Sequence, residues 1–518
     1  MPPSESSFRL TLTRVFNPQL FLWTGIILLI VGCKLWLVSG YGSGLPVMDQ
    51  IDAEGEFLFR PLLEKGFHWS VFFAHHNEHR IVFTKLMAWI QLQLNGQWDA
   101  YPQMVINAFI HAAFLPLLLY WTHQHVRRGP FVILTIVTTV LWCLPINWEN
   151  TVHGFQSQFY FLIWFTFLHL WGVLGAKKMG GRWLSGHLCG FLALGAMGSG
   201  ILSSITVVGI ASILMLRQRR WDRMQILNLG VSGMWIIVGL FARVHIPAHD
   251  VLKAGSLTQF LDGLTQILTW PFAGIMPWAS IFVLTLGWRC FQILRQKEWS
   301  LFERVFLGLV VWFLLVVIST AYLRAHAVTP PRYFDQFYLG LLLQGIAIFT
   351  VNKTRWKWLL AGAWLVALTL SLIQLNQYAF RVSLSVRSDR LPKQETRVRE
   401  FLQTKDPSIL EELVYPSGQV LASHWSHESI ASLLPAVVRP PLAIPPTDVT
   451  DFAGLPQPTH PVIVFSPDSV QTTPWTWRSP RMSADTLPIL RFKVSGGLGD
   501  PHSAISMHLK SDTETVEV

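Results

Sequence analysis

The chain has 518 residues, of which 14% are charged and 51% hydrophobic, with 24 Trp and 34 Phe. Globular chains carry about 25% charged residues, so a disordered chain, a coiled coil and a disulfide scaffold are excluded and a polytopic membrane protein is indicated. The net charge of +10 is scattered in short runs between apolar segments, not clustered on one soluble face. It therefore reads as loop charge beside a lipid bilayer and not as a nucleic-acid surface.

A spanning helix needs about 20 apolar residues. Arg9 and Arg14 precede an apolar run from Leu20 to Val38. That run is too long for a signal-peptide core and no A-x-A site follows, so it reads as a retained first span. Eleven segments in all fit the pattern, at roughly 18–39, 102–123, 130–147, 157–176, 183–198, 200–216, 225–243, 265–288, 301–322, 334–351 and 356–376. The fifth and sixth are short and meet at Gly198-Ser199-Gly200. Cys33, Cys143, Cys189 and Cys290 lie in or beside apolar stretches with no CxxC pair and read as small core residues.

Alternate loops carry Arg127/Arg128, Lys177/Lys178/Arg182, Arg217/Arg219/Arg220/Arg223, Arg289/Arg295/Lys297 and Lys353/Arg355/Lys357. By the positive-inside rule these loops are cytoplasmic. The first loop, 40–101, and the chain after about 377 then lie outside, on the periplasmic side of a bacterial inner membrane. Within that loop Ile81 to Leu94 is apolar but short, and reads as a helix at the membrane surface or half-buried.

The predicted architecture is all-α and polytopic over 1–376, with about 11 spans. A small extracytoplasmic domain, α/β or β-rich, follows over 377–518. There Asp389 to Glu412 is polar with helical spacing, Pro435 to Pro480 holds eleven prolines, and Val462–Phe465 and Ile489–Val494 resemble strands.

Four polar constellations stand out. Asp49, Asp52, Glu54 and Glu56 follow the first span. An Asp there can serve as general base or hold a divalent cation such as Mg or Mn, and equally the acids can simply start a helix with Asp52 as N-cap. His75-His76-Asn77-Glu78-His79-Arg80 is a polar run before an apolar helix. It reads as a substrate-contacting loop, as a bland loop, or, through His75-x-x-Glu78-His79 on a helix, as a zinc protease site. Glu78 and His79 join Asp49 and Asp52 as metal candidates.

The third constellation is Trp148, Glu149 and Asn150 with Gln156 and Gln158. A flat apolar face beside amide and carboxylate groups suits a sugar, and also suits an aromatic belt with polar caps. The fourth is Arg324 and Pro330-Pro331-Arg332-Tyr333, where Arg332 opens a span and suits phosphate, or anchors the interface. Arg243, His245, His249 and Lys253 add positive charge in another outer loop. No P-loop or GxGxxG precedes a helix, so an activated donor must arrive through lipid.

Taken together, these residues resemble the GT-C superfamily of membrane glycosyltransferases, which includes protein O-mannosyltransferases and lipid A aminoarabinose transferases. The shared features are the span number, acids directly after the first span, membrane-lying helices in the first loop, an outer Arg-Tyr opening a late span and a terminal soluble domain. Asp49–Asp52, His76–Arg80 and Trp148–Gln156 are similar to an uncharacterised bacterial branch. The resemblance implies an inverting transfer from a polyprenyl-phosphate-linked sugar to a glycan, lipid or protein acceptor. It implies Asp49 or Asp52 as base, Arg332 with Tyr333 at the donor phosphate, help from Arg80 or Arg243, and His76, Glu78, His79, Trp148, Glu149 and Gln156 near sugar. The Asp-Glu doublet common in that superfamily is absent. A transporter or lipid flippase would instead line a path with charges inside the spans.

Overall fold

The computed structural model describes residues 18–219, 221–272, 280–325, 330–350, 354–410, 428–438, 508–510 and 515–517. Two compact units divide the chain, Met1–Arg439 and Pro440–Val518. In the second, the described residues form an antiparallel pair, β1 His508–Lys510 and β2 Thr515–Glu517, with His508 opposite Glu517. The strands expected at 462–465 and 489–494 lie outside the described residues.

The first unit is helical: α1 Pro18–Tyr41, α2 Val82–Asn95, α3 Ala100–His123, α4 Arg128–Cys143, α5 Ser157–Leu174, α6 Gly181–Ala196, α7 Ile201–Gln218 and α8 Arg223–Phe241 come first. Then follow α9 Leu257–Leu268, α10 Ser280–Arg295, α11 Leu301–Leu323, α12 Phe334–Phe349, α13 Thr354–Tyr378, α14 Ser385–Thr404 and α15 Glu428–Val437. Among the described residues eight helices are long and apolar enough to cross a membrane. The protein is thus an α-helical, multi-pass membrane protein.

Three of the eleven expected spans fall short of that length. α6 and α12 have 16 residues each. The segment expected at 265–288 is served by α9 and α10, with Pro271 between them, a residue that cannot donate the next helical hydrogen bond. Every residue of α12 is buried, so it is a core helix enclosed by its neighbours. Trp121, Trp142, Trp312 and Trp364 fill the bundle interior. α5 and α6 approach closely because glycines face each other: a Cβ on Gly172 would lie 2.7 Å from the Gly186 Cα. Small residues at such contacts are the usual device of membrane helix pairs.

The first loop is folded. Ile51–Phe59 is a π-helix and runs into a helix over Arg60–Lys65. α2 follows, ends at Gly96 in the left-handed conformation (φ 68°), and turns Thr84, Lys85, Ala88 and Gln91 inward while Leu94 is exposed. α2 is therefore the half-buried helix read at 81–94. Its partners include Val398, Phe401, Leu433 and Leu434 from α14 and α15. The polar stretch expected to be helical over 389–412 is α14 to residue 404, and it belongs to the first unit. Apolar residues of α14 and α15, expected with the C-terminal domain, share a core with the first loop, and the boundary between units falls after Arg439.

Candidate functional site

The predicted polar residues gather at one end of the bundle, where α1, α4, α6, α8 and α11 finish and α3, α5, α7 and α12 begin. The first loop roofs that end. Arg127, Arg128, Lys177, Lys178, Arg217, Arg219, Arg295 and Lys297 lie at the opposite helix ends.

Arg332 is the hub. It sits on a single 3-10 turn, Pro331–Tyr333, whose leading proline pre-sets the turn before α12. Its Nη1 lies 3.8 Å from Glu149 Oε2 and 4.0 Å from Asp49 Oδ2. The side chains of residues 49, 149 and 332, read separately from sequence, thus meet. Asp49 follows Met48, a non-glycine residue at φ 55°. Left-handed backbone costs about 1–2 kcal/mol for such a residue and persists where the surroundings over-determine it. Asp52 is not an N-cap. It lies in the first turn of the π-helix, half-buried, while Gln50 holds the cap position.

A clamp behind Arg332 escaped the sequence reading. Asp335, buried on α12, accepts hydrogen bonds from Asn147 Nδ2 at 2.6 Å and Asn150 Nδ2 at 2.7 Å, and His111 Nε2 is 3.0 Å away. Asn150 Nδ2 also donates to the Arg332 carbonyl at 2.8 Å, and Tyr160 Oη donates to the Asn150 carbonyl at 2.9 Å. The short helix Trp148–Val152 that carries Glu149 is thereby fixed to the turn that carries Arg332. Arg387 of α14 ties the same segment from the other side, donating to the carbonyls of Tyr41 and Val152 and to His153 Nε2 at 2.7 Å.

The segment from His75 to Arg80 is a tight turn, with His76 and His79 exchanging backbone hydrogen bonds and Asn77 at φ 49°. No helix spans it, so His75 and His79 are not placed on one helical face as the protease pattern needs. His79 Nδ1 accepts from the Gly198 N–H at 3.2 Å, which leaves the neutral ring's proton on Nε2. A Cβ on Gly198 would come within 2.9 Å of that ring. Glu78 Oε1 accepts from His249 Nδ1 at 2.6 Å and Oε2 lies 4.0 Å from Arg324. Burial works to raise the Glu78 carboxyl, but the His249 hydrogen bond, the residue's own backbone N–H and the charges of His79 and His249 together outweigh it and hold the group below the usual carboxylate range. Burial pushes His76, packed edge-on against Phe155, down to about 4, so its ring is neutral.

Beside these groups opens a cavity of about 450 Å³. Leu194, Ile201, Leu202, Leu240, Val316 and Leu323 give it apolar walls, and Arg80, Arg243, Lys253 and Arg324 bring positive charge to its lining, with His245 and His249 beside them. Glu78, His79 and Tyr333 line it as well. Glu78 Oε2 and Glu149 Oε2 are buried acceptors with no hydrogen-bond donor in the protein.

The other predicted residues have structural partners. Trp148 packs with Leu37, Val152, Ala379 and Leu384, and Gln156 accepts from Gln158 at 3.0 Å. Asp49, Asp52, Glu78 and His79 do not meet as a metal-binding group: among the described residues no three His, Cys, Asp or Glu side chains do. Comparisons with protein-family models, with curated proteins and with solved structures found no match.

Proposed function

We propose that the protein is an inverting glycosyltransferase of the GT-C kind, using a polyprenyl-phosphate-linked sugar at the extracytoplasmic face of a bacterial inner membrane. The observation that carries this reading is the cavity: apolar walls from the ends of long apolar helices, four Lys and Arg side chains in its lining, and the carboxylate of Glu78 among them. That combination suits an amphiphile with a long hydrocarbon tail, a phosphate and a sugar. Arginine favours phosphate through paired, charge-assisted hydrogen bonds.

In this reading the prenyl chain lies between α7, α8 and α11. Arg80, Arg243 and Arg324 hold the phosphate. The sugar lies toward Arg332, where the open acceptors of Glu149 and Glu78 take its hydroxyls. Asp49 removes the acceptor hydroxyl's proton as that oxygen bonds to the anomeric carbon. The bond from that carbon to the phosphate oxygen breaks, its electron pair leaves with the phosphate, and the configuration inverts. Asp49 is chosen over Asp52 because it is the acid beside Arg332. The positive helix ends opposite the site support the cytoplasmic assignment of that face.

The test is native mass spectrometry of the detergent-purified chain incubated with a polyprenyl phosphate or with the uncharged polyprenol. A one-to-one phosphate adduct that Arg243→Ala and Arg324→Ala weaken at least tenfold is expected. Equal uptake of the uncharged alcohol would overturn the reading, and a stoichiometric zinc adduct without prenyl lipid would return the protease.

A further inference from the structure

A second cavity, of about 570 Å³, opens on the side of the bundle between α1, the turn after α4 and the end of α13. Its walls are apolar, and Leu28, Leu29 and Trp36 on its α1 side are exposed to the surroundings of the bundle. Lys34, Thr151 and Asn376 break that surface. Lys34 is only 3% exposed, and of its three ammonium N–H groups one is used, by Thr151 Oγ1 at 3.0 Å. The acid that acts on it, Asp335, is already engaged by His111, Asn147 and Asn150 and lies beyond ion-pair distance. Asn376 lines the same cavity, and its buried Oδ1 accepts nothing in the protein.

The level of this cavity along the bundle is marked by side chains. Trp36 and Tyr378 are exposed near it, and such aromatics collect where lipid headgroups begin. Lys34 reaches Thr151 in the same short helix that carries Glu149, at the site end of the bundle. A buried ammonium with N–H groups to spare asks for an anion. A buried carbonyl without a donor asks for a hydroxyl. Apolar walls open to lipid ask for an acyl chain.

We propose that this groove holds an anionic glycerophospholipid whose headgroup carries hydroxyls. A phosphate oxygen accepts from Lys34, a headgroup hydroxyl donates to Asn376 Oδ1, and an acyl chain lies along Leu28 and Leu29. Thr151 is two residues from Glu149, so the lipid braces the segment that presents that acid. The inference stands apart from the transferase reading, since it concerns a different cavity and its test reads lipid retention and not sugar transfer.

The test is native mass spectrometry of the full chain after incubation with phosphatidylglycerol, phosphatidic acid or phosphatidylcholine. Phosphatidylglycerol is expected to persist one-to-one and to exceed phosphatidylcholine at least tenfold. Lys34→Gln should lower that adduct tenfold or more, while Lys34→Arg keeps it. Asn376→Leu should remove the preference for phosphatidylglycerol over phosphatidic acid and leave the preference for anionic lipid. Arg243→Ala, at the other cavity, should change neither. Equal retention of phosphatidylcholine, or a phosphatidylglycerol adduct unchanged by Lys34→Gln, would overturn the proposal. So would loss of the adduct in Arg243→Ala. If Lys34→Gln fails to fold, Asn376→Leu carries the test alone, and an unchanged lipid preference there overturns it.

Discussion

Arg332 faces Glu149 and Asp49 at 3.8 and 4.0 Å, so one guanidinium sits against two carboxylates. That arrangement separates the two candidate bases by experiment. Asp49→Asn should lower the release of polyprenyl phosphate from the sugar-charged lipid about 10²–10⁴-fold, the usual contribution of a general base. Asp52→Asn should stay within tenfold of the parent, and the reverse ranking would move the base. Glu54 makes a separate prediction. Burial pushes it up to about 7 despite hydrogen bonds from Gln50, Gln103 and Trp98. Its folded value lies above the unfolded one, so the folded chain keeps a proton that the unfolded chain releases above about 4.5. The stability this gives is complete below about 4.5 and is lost as pH rises through about 7. Thermal melting of the parent in detergent should therefore lose ground to that of Glu54→Gln between pH 5 and 7, while the buried, neutral His76 pushes both chains the opposite way. The window stops at 7 because burial also lowers Lys85 to about 7, where its own titration begins. Charged residues such as Arg332, Glu149 and Glu78 were legible in the sequence because ionisable groups at span ends are conspicuous. Asp335 and His111 were not, since a lone polar residue in an apolar run does not announce its partners.

Helix existence followed from apolar length, which is why eight spans emerge directly and α2 was read as a half-buried helix. Helix interruptions did not. The π-helix at 51–59 and the division of the 265–288 segment between α9 and α10 arise from backbone geometry that hydropathy does not encode. The α5–α6 contact rests on Gly172 and Gly186, whose backbones nearly touch. Gly172→Val should cost about 1–3 kcal/mol through overpacking, read as a lower melting temperature in detergent. The clamp of α12 on the Trp148–Val152 helix is tested by Asp335→Ala. Breaking a buried charge network typically costs about 3–5 kcal/mol. Asp335→Asn, which preserves shape, should retain more of the fold. It should lower kcat for sugar release more than it raises KM, since Asp335 positions Glu149 and Arg332 without touching substrate. Equal stability in both variants would remove the clamp.

Among the described residues of the first unit, the site residues occupy one set of helix ends, and Arg127, Arg128, Lys177, Lys178, Arg217, Arg219, Arg295 and Lys297 the other. Single cysteines at the exposed positions Lys65 or Val251 should react with an impermeant maleimide added outside intact cells, and one at exposed Lys177 only after lysis. The reverse pattern would invert the topology. The sequence reading closed the membrane part at 376, since hydropathy ends there. The fold continues to Arg439, because α14 and α15 cover the first loop with apolar residues spaced too sparsely to read as core. Arg387 in that cover joins Tyr41, Val152 and His153. During synthesis these three attachment points leave the ribosome long before the residue that binds them. The seven candidate spans that end before residue 355 can enter the bilayer while the Glu149 segment still lacks its outer fastening. Insertion and competence are therefore separate events in the life of the chain, and the second waits for residue 387.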